Sequence, residues 1–543
     1  MSKIVIPEDG LFLGLDSSTQ SLKAILIDGS LRVVYEQSVQ FDRDLPQFKT
    51  EGGVHRSADG LTVTAPPLMW VAALDRLLAR MQADKCPLGR VLAVSGSGQQ
   101  HGSVWLKRKA QNILRHLDGR KTLQDQLSDV FSVNASPVWM DSSTTAECRA
   151  LELAMGGAQV VADVTGSRAY ERFTGNQIAK IHRTLPHDYE MTDRIALVSS
   201  FMASLLIGDY APIDTSDGSG MNLMDIRLKA WDANAIKITA TWLDAKLGPV
   251  VPSHTDVGHI HRYYVDRWGF DPACRVIAFS GDNPCSLAGL RLQAPGDVAI
   301  SLGTSDTMFG SLSDPKPSAE EGHVFVSPVD PAHYMAMVCF KNGSLTREHV
   351  RVLTGAASWA AYGQLLKETA PGNQGQLGFY IKEPEITPTI LKTGIFRFDA
   401  TGKPVPAFPA AAEARAVLEG QFLSMRMHGG NIGLSPASIL ATGGASVDAG
   451  VLRVMSDVFG VPVYVGDQPN SSSLGAAYRA LHGWVCQAAA GKWVRFADAL
   501  AHAPAFRKAV DPDMAAHAVY NGLLEKFRHL ERVVVAMGHI HKG

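Results

Sequence analysis

An α/β protein built twice from one β-β-β-α-β plan is the fold class this sequence predicts, on three observations. Near its start, LFLGLD (11–16) is an apolar run that ends at an acid and a hydroxyl-rich turn, with a second apolar run behind it. DVAISLGTSDTMFGSL (297–312) repeats that arrangement. Later in each half an apolar run opens into glycines, RVLAVSGSGQQHG (90–102) and SILATGGASVDAG (438–450). The four loops keep the same order, so Asp16-Ser17-Ser18 can be laid on Gly303-Thr304-Ser305, and Gly96-Ser97-Gly98 on Gly443-Gly444-Ala445. The split falls near residue 293, giving an N-terminal domain over 1–293 and a C-terminal domain over 294–543.

Each element has its own local reason. LFLGLD, SLKAILID (21–28) and LRVVYEQSVQF (31–41) are β-rich runs separated by turn residues, and they read as three consecutive strands. Pro66-Pro67 mark a helix start, behind which Trp70, Leu74, Leu77, Leu78 and Met81 form one apolar stripe. Thr144 and Glu147 have the spacing of a capping box. Ile195–Ile207 is the longest apolar run; broken by serines and short of the ~20 residues that span a bilayer, it predicts a buried helix rather than a membrane segment. The polar stretch 107–135 and the Pro- and Gly-rich stretch 371–409 read as insertions or surface loops.

Composition narrows the function. The 543 residues, 46% hydrophobic and 19% charged, are an ordinary soluble mixture with material for two large cores. A net charge of −2 carries no basic excess, so no nucleic-acid partner is expected, and Lys107-Arg108-Lys109 reads as a solvated loop. The six cysteines form no C-x-x-C pair and read as reduced core thiols of a cytoplasmic protein. MSKIVIPEDG lacks the apolar stretch of a signal peptide.

Nucleotide chemistry is tested by elimination. No G-x-x-x-x-G-K-[ST] occurs, which argues against a P-loop. Gly96-Ser97-Gly98 fails the dinucleotide fingerprint at its last position, His101, and the turn after LFLGLD leads into a strand, not a helix. Two strand-turn-strand hairpins facing each other across a cleft remain. One turn offers Asp16 with Ser17, Ser18 and Thr19; the other offers Gly303, Thr304 and Ser305. A carboxylate on one side and only donors on the other suit a magnesium–nucleotide. Either turn alone is a weak signal, since an Asp after a strand is more often a turn former. Together, in order, and followed by ATGGAS, they favour the functional reading.

At this point the motifs resemble the FGGY carbohydrate kinases of the actin-like ATPase superfamily. LGLDSSTQSLKAILID, GSGQQHGS, WMDSSTTAE, SGDNPCSLAGL, ISLGTSDT, EGQFLSMR, ATGGAS and SSSLGAAYRA carry the resemblance. GSRAYERFTGNQIAKI (166–181) and LVSSFMASLLIGDYAPIDTSDGSGMNL (197–223) are similar to the eukaryotic-type D-xylulose kinase branch. The resemblance implies an α/β fold of two actin-like (ribonuclease H-like) ATPase domains facing a central cleft. It also implies ATP and Mg2+, and a small ketopentose substrate phosphorylated at its 5-hydroxyl; a homodimer is left open.

By the same resemblance Asp282 is the base that takes the sugar proton. Asn283, His101 and Arg172 hold the ketose, and Asp16 positions magnesium. Ser18, Thr19, Gly303, Thr304 and Ser305 face the phosphates, Gly443 and Gly444 pack on adenosine, and Trp359 lies near the adenine. One departure stands out: where relatives have an asparagine after ATGGAS, the nearest polar residue here is Asp448, which cannot donate as an amide does.

Bland readings stand beside these. Asp282-Asn283-Pro284 could simply begin a helix, Arg172 could be a surface ion pair with Arg168 as its competitor, and His101 could be structural. His254, His259 and His261, and the terminal His539 and His541, read as surface or loop residues. Kinases of L-ribulose, gluconate or glycerol, and an actin-like ATPase without a sugar site, remain the alternatives.

Overall fold

The computed structural model describes residues 6–466 and 470–538. Residues up to Gln293, with Phe325–Tyr334 and Asn470–Ala503, form one compact unit, and the other described residues form a second.

The first unit is organised by a sheet whose central strand is buried along its whole length. Strands β1 (Leu11–Ser17), β2 (Ser21–Asp28) and β3 (Val33–Gln40) form an antiparallel meander. Helix α1 (Pro67–Ala83) has proline in its first turn, where the missing N–H costs nothing, and buries Trp70, Leu74, Leu77, Leu78 and Met81. Strand β4 (Val91–Gly98) returns parallel to β1, in one register from Phe12 opposite Ala93 to Ser17 opposite Gly98 after an irregularity at Leu11. The run 195–207 is divided: Thr192–Leu197 is a strand, and helix α2 (Val198–Ile207) follows. Leu197 is extended and leads directly into the helix, whose Ser200 hydroxyl accepts a hydrogen bond from the Leu197 N–H. Strands β5 (Asp256–His259) and β6 (Arg275–Ile277) complete the order β5-β6-β4-β1-β2-β3, and helix α3 (Asp282–Gly289) starts beyond the end of the sheet.

The second unit repeats this frame. Strands β7 (Asp297–Leu302), β8 (Asp306–Leu312), β9 (His323–Val326, its last two residues grouped with the first unit) and β10 (Tyr334–Phe340, its first residue likewise) are followed by helices α4 (Trp359–Leu365) and α5 (Ala410–Asn431). Strand β11 (Ser438–Thr442), helix α6 (Ala449–Phe459) and strand β12 (Val463–Val465) come next. Helix α7 (Ser471–Ala488) belongs with the first unit, and strand β13 (Arg507–Val510) and helix α8 (Met514–Met537) finish the second. The sheet order is β9-β10-β8-β7-β11-β12-β13. In both units the central strand is antiparallel to the next strand in sequence and parallel to the one that opens into glycines. In both, the far edge is an antiparallel strand. The duplicated α/β plan is therefore real.

Several local expectations need correction. Residues 371–409 are not structureless: Leu377–Ile381 pairs with Gly394–Phe398, and Glu385–Ile386 with Thr389–Ile390. Gly378 and Gly394 lie within the strands themselves, and the Pro and Gly around them hide the strand signal. The stretch 107–135 holds helices Lys109–Arg115 and Leu123–Gln126, and Lys107 and Lys109 both pair with Asp129. The capping box at Thr144 does not form. Its hydroxyl donates to the Glu171 carbonyl at 2.6 Å, while Glu147 accepts from Arg183.

Helix α7 comes from late in the chain yet seats against β1 and α3 through glycines. A Cβ on Gly14 would lie 2.2 Å from the Ser473 carbonyl oxygen, and one on Gly289 would lie 2.0 Å from that of Ser471. A Cβ on Gly475 would lie 1.7 Å from the Cys285 carbonyl oxygen, so the obstacle is backbone that cannot swing aside. Gly475→Ala is expected to destabilise the protein by about 1–3 kcal/mol or more through overpacking. Thermal unfolding checks this, and an unchanged midpoint would show that the helices can separate at little cost.

Candidate active site

In the first unit the candidate residues gather where β1 and β4 end and α3 begins. Asp16 is the penultimate residue of β1 and is buried; its Oδ1 accepts from Ser97 Oγ at 2.7 Å and from Ser472 Oγ at 3.3 Å. Burial raises its pKa above the ordinary carboxylate range, against the hydroxyl donors and Lys23, which lower it. In the turn beyond, the Ser18 hydroxyl donates to the Ser21 carbonyl at 3.0 Å, and Thr19 Oγ1 accepts from Trp139 Nε1 at 2.8 Å. These residues border an open groove of about 530 Å³ that also takes in Lys23, Arg56 and Trp139.

Asp282 and Asn283 are the first two residues of α3, so the motif does begin a helix. Asp282 Oδ1 accepts from the Asn283 N–H at 2.9 Å. Desolvation, with the charge of Asp16 second, raises the Asp282 pKa to about 7. The Asn283 amide donates to Gln100 Oε1 at 2.8 Å, which ties α3 to the loop after β4.

His101 sits in that loop with φ +68°, a left-handed conformation unusual outside glycine. It is held from both sides: Nδ1–H donates to the Gly220 carbonyl at 2.9 Å, and its own carbonyl accepts from Thr174 Oγ1 at 2.9 Å. The ring stacks on Phe173 at 4.3 Å. Burial first, then the nearby Arg172 charge, lowers its pKa to about 3, so the imidazole stays neutral. With Nδ1 donating, Nε2 is left as an acceptor suited to a sugar hydroxyl. The Arg172 guanidinium lies over the rings of Tyr170 and Phe173, 4.9 and 5.5 Å from their centroids, whereas Arg168 pairs with Glu152 at 3.2 Å.

The second unit holds the nucleotide-side candidates. Gly303, Thr304 and Ser305 form the turn between β7 and β8, with Thr304 and Ser305 exposed. The Gly303 and Thr304 carbonyls accept from the N–H groups of Ser344 and Gly343 at 2.8 and 3.2 Å, which pins the turn from below. Behind it Arg347 and Asp306 form a fully buried ion pair. Gly443 has φ +82°, and a Cβ there would lie 2.6 Å from the Leu302 carbonyl oxygen; one on Gly444 would meet nothing within 4 Å. Trp359 starts α4, 40% exposed, with its ring edge-on to Tyr362 at 5.5 Å. Asp448 caps α6, its Oδ1 accepting from the N–H groups of Gly450 and Val451 at 2.8 and 3.0 Å. Its carboxylate already has a structural task, and the fully exposed side chain beside it is apolar Val447.

Residue-by-residue reading of the sequence overlooked several groups. Ser97, Gln100, Asp214 and Asp217 lie inside the quoted motifs but were given no role, and Ser472 and Arg479 lie in SSSLGAAYRA, remote in sequence from the loops they touch. Of the histidines set aside, His261 caps the helix Arg262–Trp268, and His254 lies 6.0 Å from the His482 ring. His539 and His541 lie outside the described residues.

A doubled actin-like frame with a desolvated acid at a helix start defines the class. The chain belongs to the FGGY family of carbohydrate kinases: the model of that family's N-terminal domain matches residues 132–289, and that of its C-terminal domain residues 298–484. It is 51% identical over 527 residues to the xylulose kinase of Mus musculus, covering 96% of this chain and 94% of that one. To xylulose kinase 2 of Arabidopsis thaliana it is 48% identical over 501 residues, covering 90% and 89%. Among solved structures, xylulose kinase from Rhodospirillum rubrum is similar with a TM-score of 0.79 at 18% identity, covering 97% of this chain and all of that one. Glycerol kinase from Plasmodium falciparum is similar with a TM-score of 0.73 at 14% identity, covering 96% and 98%. The structural likenesses speak for the fold alone.

The held Nδ1 of His101 gives a direct test. A pH titration followed by the NMR signals of labelled histidines is expected to leave His101 unmoved between about pH 5 and 8, since its pKa is near 3. A midpoint near the ordinary histidine value would show that the ring is solvated and its tautomer not fixed.

Proposed function

We propose that this kinase transfers the γ-phosphoryl group of ATP to the 5-hydroxyl of D-xylulose, giving D-xylulose 5-phosphate and ADP. The observation that carries this reading is the first unit's polar set, His101, Arg172, Asp282 and Asn283, in a chain half identical to xylulose kinases along nearly its whole length. An actin-like ATPase without a sugar substrate has no need of that set. L-Ribulose, gluconate and glycerol are the competing acceptors.

In this reading the sugar oxygen forms its bond to the γ-phosphorus as the bond to the ADP oxygen breaks, and Asp282 accepts the hydroxyl proton. Asp282 orients the hydroxyl and takes the proton late, as phosphoryl transfer with little bond-making assistance requires. Arg172 donates to sugar oxygens, Asn283 hydrogen-bonds the sugar, and the neutral Nε2 of His101 accepts from a hydroxyl. A sugar lacking one of those hydroxyls leaves a buried partner unpaired, which is how the site would discriminate.

Asp16 fits a magnesium ion. It is a hard oxygen donor, desolvated and held through one oxygen by two hydroxyls, and magnesium typically takes only one or two carboxylates beside phosphate oxygens and water. When bound, the ion would offset the negative charge of the triphosphate. Thr304 and Ser305 would donate to phosphate oxygens, with Ser18 and Thr19 on the other turn, and Gly443 and Gly444 would lie against the adenosine with Trp359 near the base. Asp448 is assigned to the helix cap instead of the base. Among the described residues no helix is long and apolar enough to cross a membrane. A cytoplasmic location and a homodimer belong to the same reading.

The deciding measurement is ADP release from Mg–ATP with no sugar, then with D-xylulose, L-ribulose, D-gluconate and glycerol separately. Strong stimulation by D-xylulose alone is expected. Stimulation by a different sugar would move the substrate, and stimulation by none would remove the kinase reading. Asp282→Ala is expected to lose about 10²–10⁴ in rate with nucleotide binding and the melting profile retained. Because the base must be ionised and its pKa is raised to about 7, kcat/KM of the wild type should fall as pH drops below about 7. A flat profile down to the ordinary carboxylate range would overturn that assignment.

A further inference from the structure

Asp217 lies in the short helix Thr215–Gly218, 2% exposed, and the mechanism above does not use it. Its Oδ2 is 2.6 Å from Ser199 Oγ on α2. Its Oδ1 is buried with no conventional hydrogen-bond partner, and so is the Nε2 of Gln100. These two atoms belong together. A Cβ on Gly281, the residue before Asp282, would lie 2.4 Å from Gln100 Cγ and 2.7 Å from Asp217 Oδ1, so both side chains converge over the Gly281 backbone. Gln100 Oε1 already accepts from the Asn283 amide at 2.8 Å, which fixes the amide orientation and turns Nε2 away as the donor toward Asp217. A continuous path therefore runs from Ser199 through Asp217 and Gln100 to Asn283, whose backbone N–H donates to Asp282.

We infer that Asp217 is a positioning residue for the transfer: acting through Gln100, it holds Asn283 and Asp282 in the orientation that receives the sugar. The inference rests on the reading of Asp282 and Asn283 as the sugar-facing pair. It also assigns Asp217 a charge state. The groups facing it are Asp214 on the preceding strand, with Arg479 3.7 Å from that acid, Asp282 on α3, and His101 across Gly220. Burial, then Asp214 and also Asp282, push its pKa well above the ordinary range, against the hydroxyl of Ser199. A neutral Asp217 donates its O–H to Ser199 Oγ and accepts from Gln100 through Oδ1. Asparagine reproduces that pattern atom for atom, with Nδ2–H in place of O–H. A neutral neighbour also leaves the charge on Asp282 alone, in keeping with Asp16 as the acid that perturbs it most.

The test uses the full-length protein with D-xylulose and Mg–ATP, and compares Asp217→Asn, Asp217→Ala and Gln100→Ala. Asp217→Ala is expected to lower kcat/KM for the sugar on the order of 10- to 100-fold, with the KM for ATP unchanged. Gln100→Ala should do the same, and the two losses should not add, as expected of residues in one path. Asp217→Asn should stay within about threefold of wild type, with the acidic limb of its pH profile unmoved. Should Asp217→Ala fail to fold, the Asn and Gln100 variants carry the test. Additive losses, a damaged Asn variant, an acidic limb displaced to lower pH in that variant, or sugar kinetics indifferent to both alanine changes would each overturn the inference. A wild type that phosphorylates no sugar would instead overturn the functional reading beneath it.

Discussion

The first unit's site depends on how closely helix α7 lies against β1 and α3. Backbone meets backbone there because Gly14, Gly289 and Gly475 present no side chain. The strand that carries Asp16 near its end and the helix that begins with Asp282 are thus clamped by one element. Two carboxylates that must keep a fixed separation gain it from helix packing, which is stiffer than loop contacts, since cores are packed at crystal-like density. The clamp also reaches into the chemistry. Ser472, in the first turn of α7, donates to Asp16 and Ser97, and Arg479, two turns further on, donates to the carbonyls of Ser253 and Ala278.

The clamp permits an electrostatic arrangement that would otherwise be costly. Asp16, Asp214, Asp217 and Asp282 lie within mutual influence in the first unit, and Arg479, beside Asp214, is a fully buried cation among them. Burying that many charges without partners would cost several kcal/mol each. The structure meets the problem in different ways at each acid. Asp214 has Arg479 together with Ser253 and Ser280; Asp16 has the hydroxyls of Ser97 and Ser472; Asp217 has the hydroxyl of Ser199 and a pKa pushed well up by burial; Asp282 has the Asn283 N–H and a pKa raised to about 7. The environments push these acids apart in role, which is how similar groups come to perform different tasks in one site.

Much of this was legible in the chain. The duplicated sheet could be read because its central strands are buried on both faces and so appear as unbroken apolar runs, and because the turns after them carry a distinct chemistry. Asp16 stood out as an acid at the end of an apolar run, whereas Asp282 and His101 were picked out only through the resemblance of their motifs to the FGGY kinases. The contributions of Ser97, Gln100, Asp217 and Ser472 were hidden for a physical reason: each acts through a partner far away in sequence, 81 positions from Ser97 to Asp16 and 183 from Gln100 to Asn283. No periodicity reports such a contact. The hairpins within 371–409 were missed for the opposite reason, that strong turn residues masked short strands, and nothing in the sequence announced that Asp448 caps a helix.

The second unit shows what duplication leaves free to change. Its sheet keeps the central pairings of the first, antiparallel to the next strand and parallel to the one that opens into glycines, yet the turn after its central strand carries no acid of its own. In the first unit the acid at that point is buried and must be answered by hydroxyls from β4 and α7. In the second, the turn residues are exposed and held only through their carbonyls, and the buried acid, Asp306, begins the following strand and is neutralised by Arg347. With its carboxylate closed into an ion pair, the second turn offers hydroxyls and backbone alone, where the first unit presents a buried acid. One sheet frame can therefore support two opposite electrostatic surfaces, because the frame is fixed by apolar packing and the polarity of its loops is set by a handful of residues that do not take part in the core.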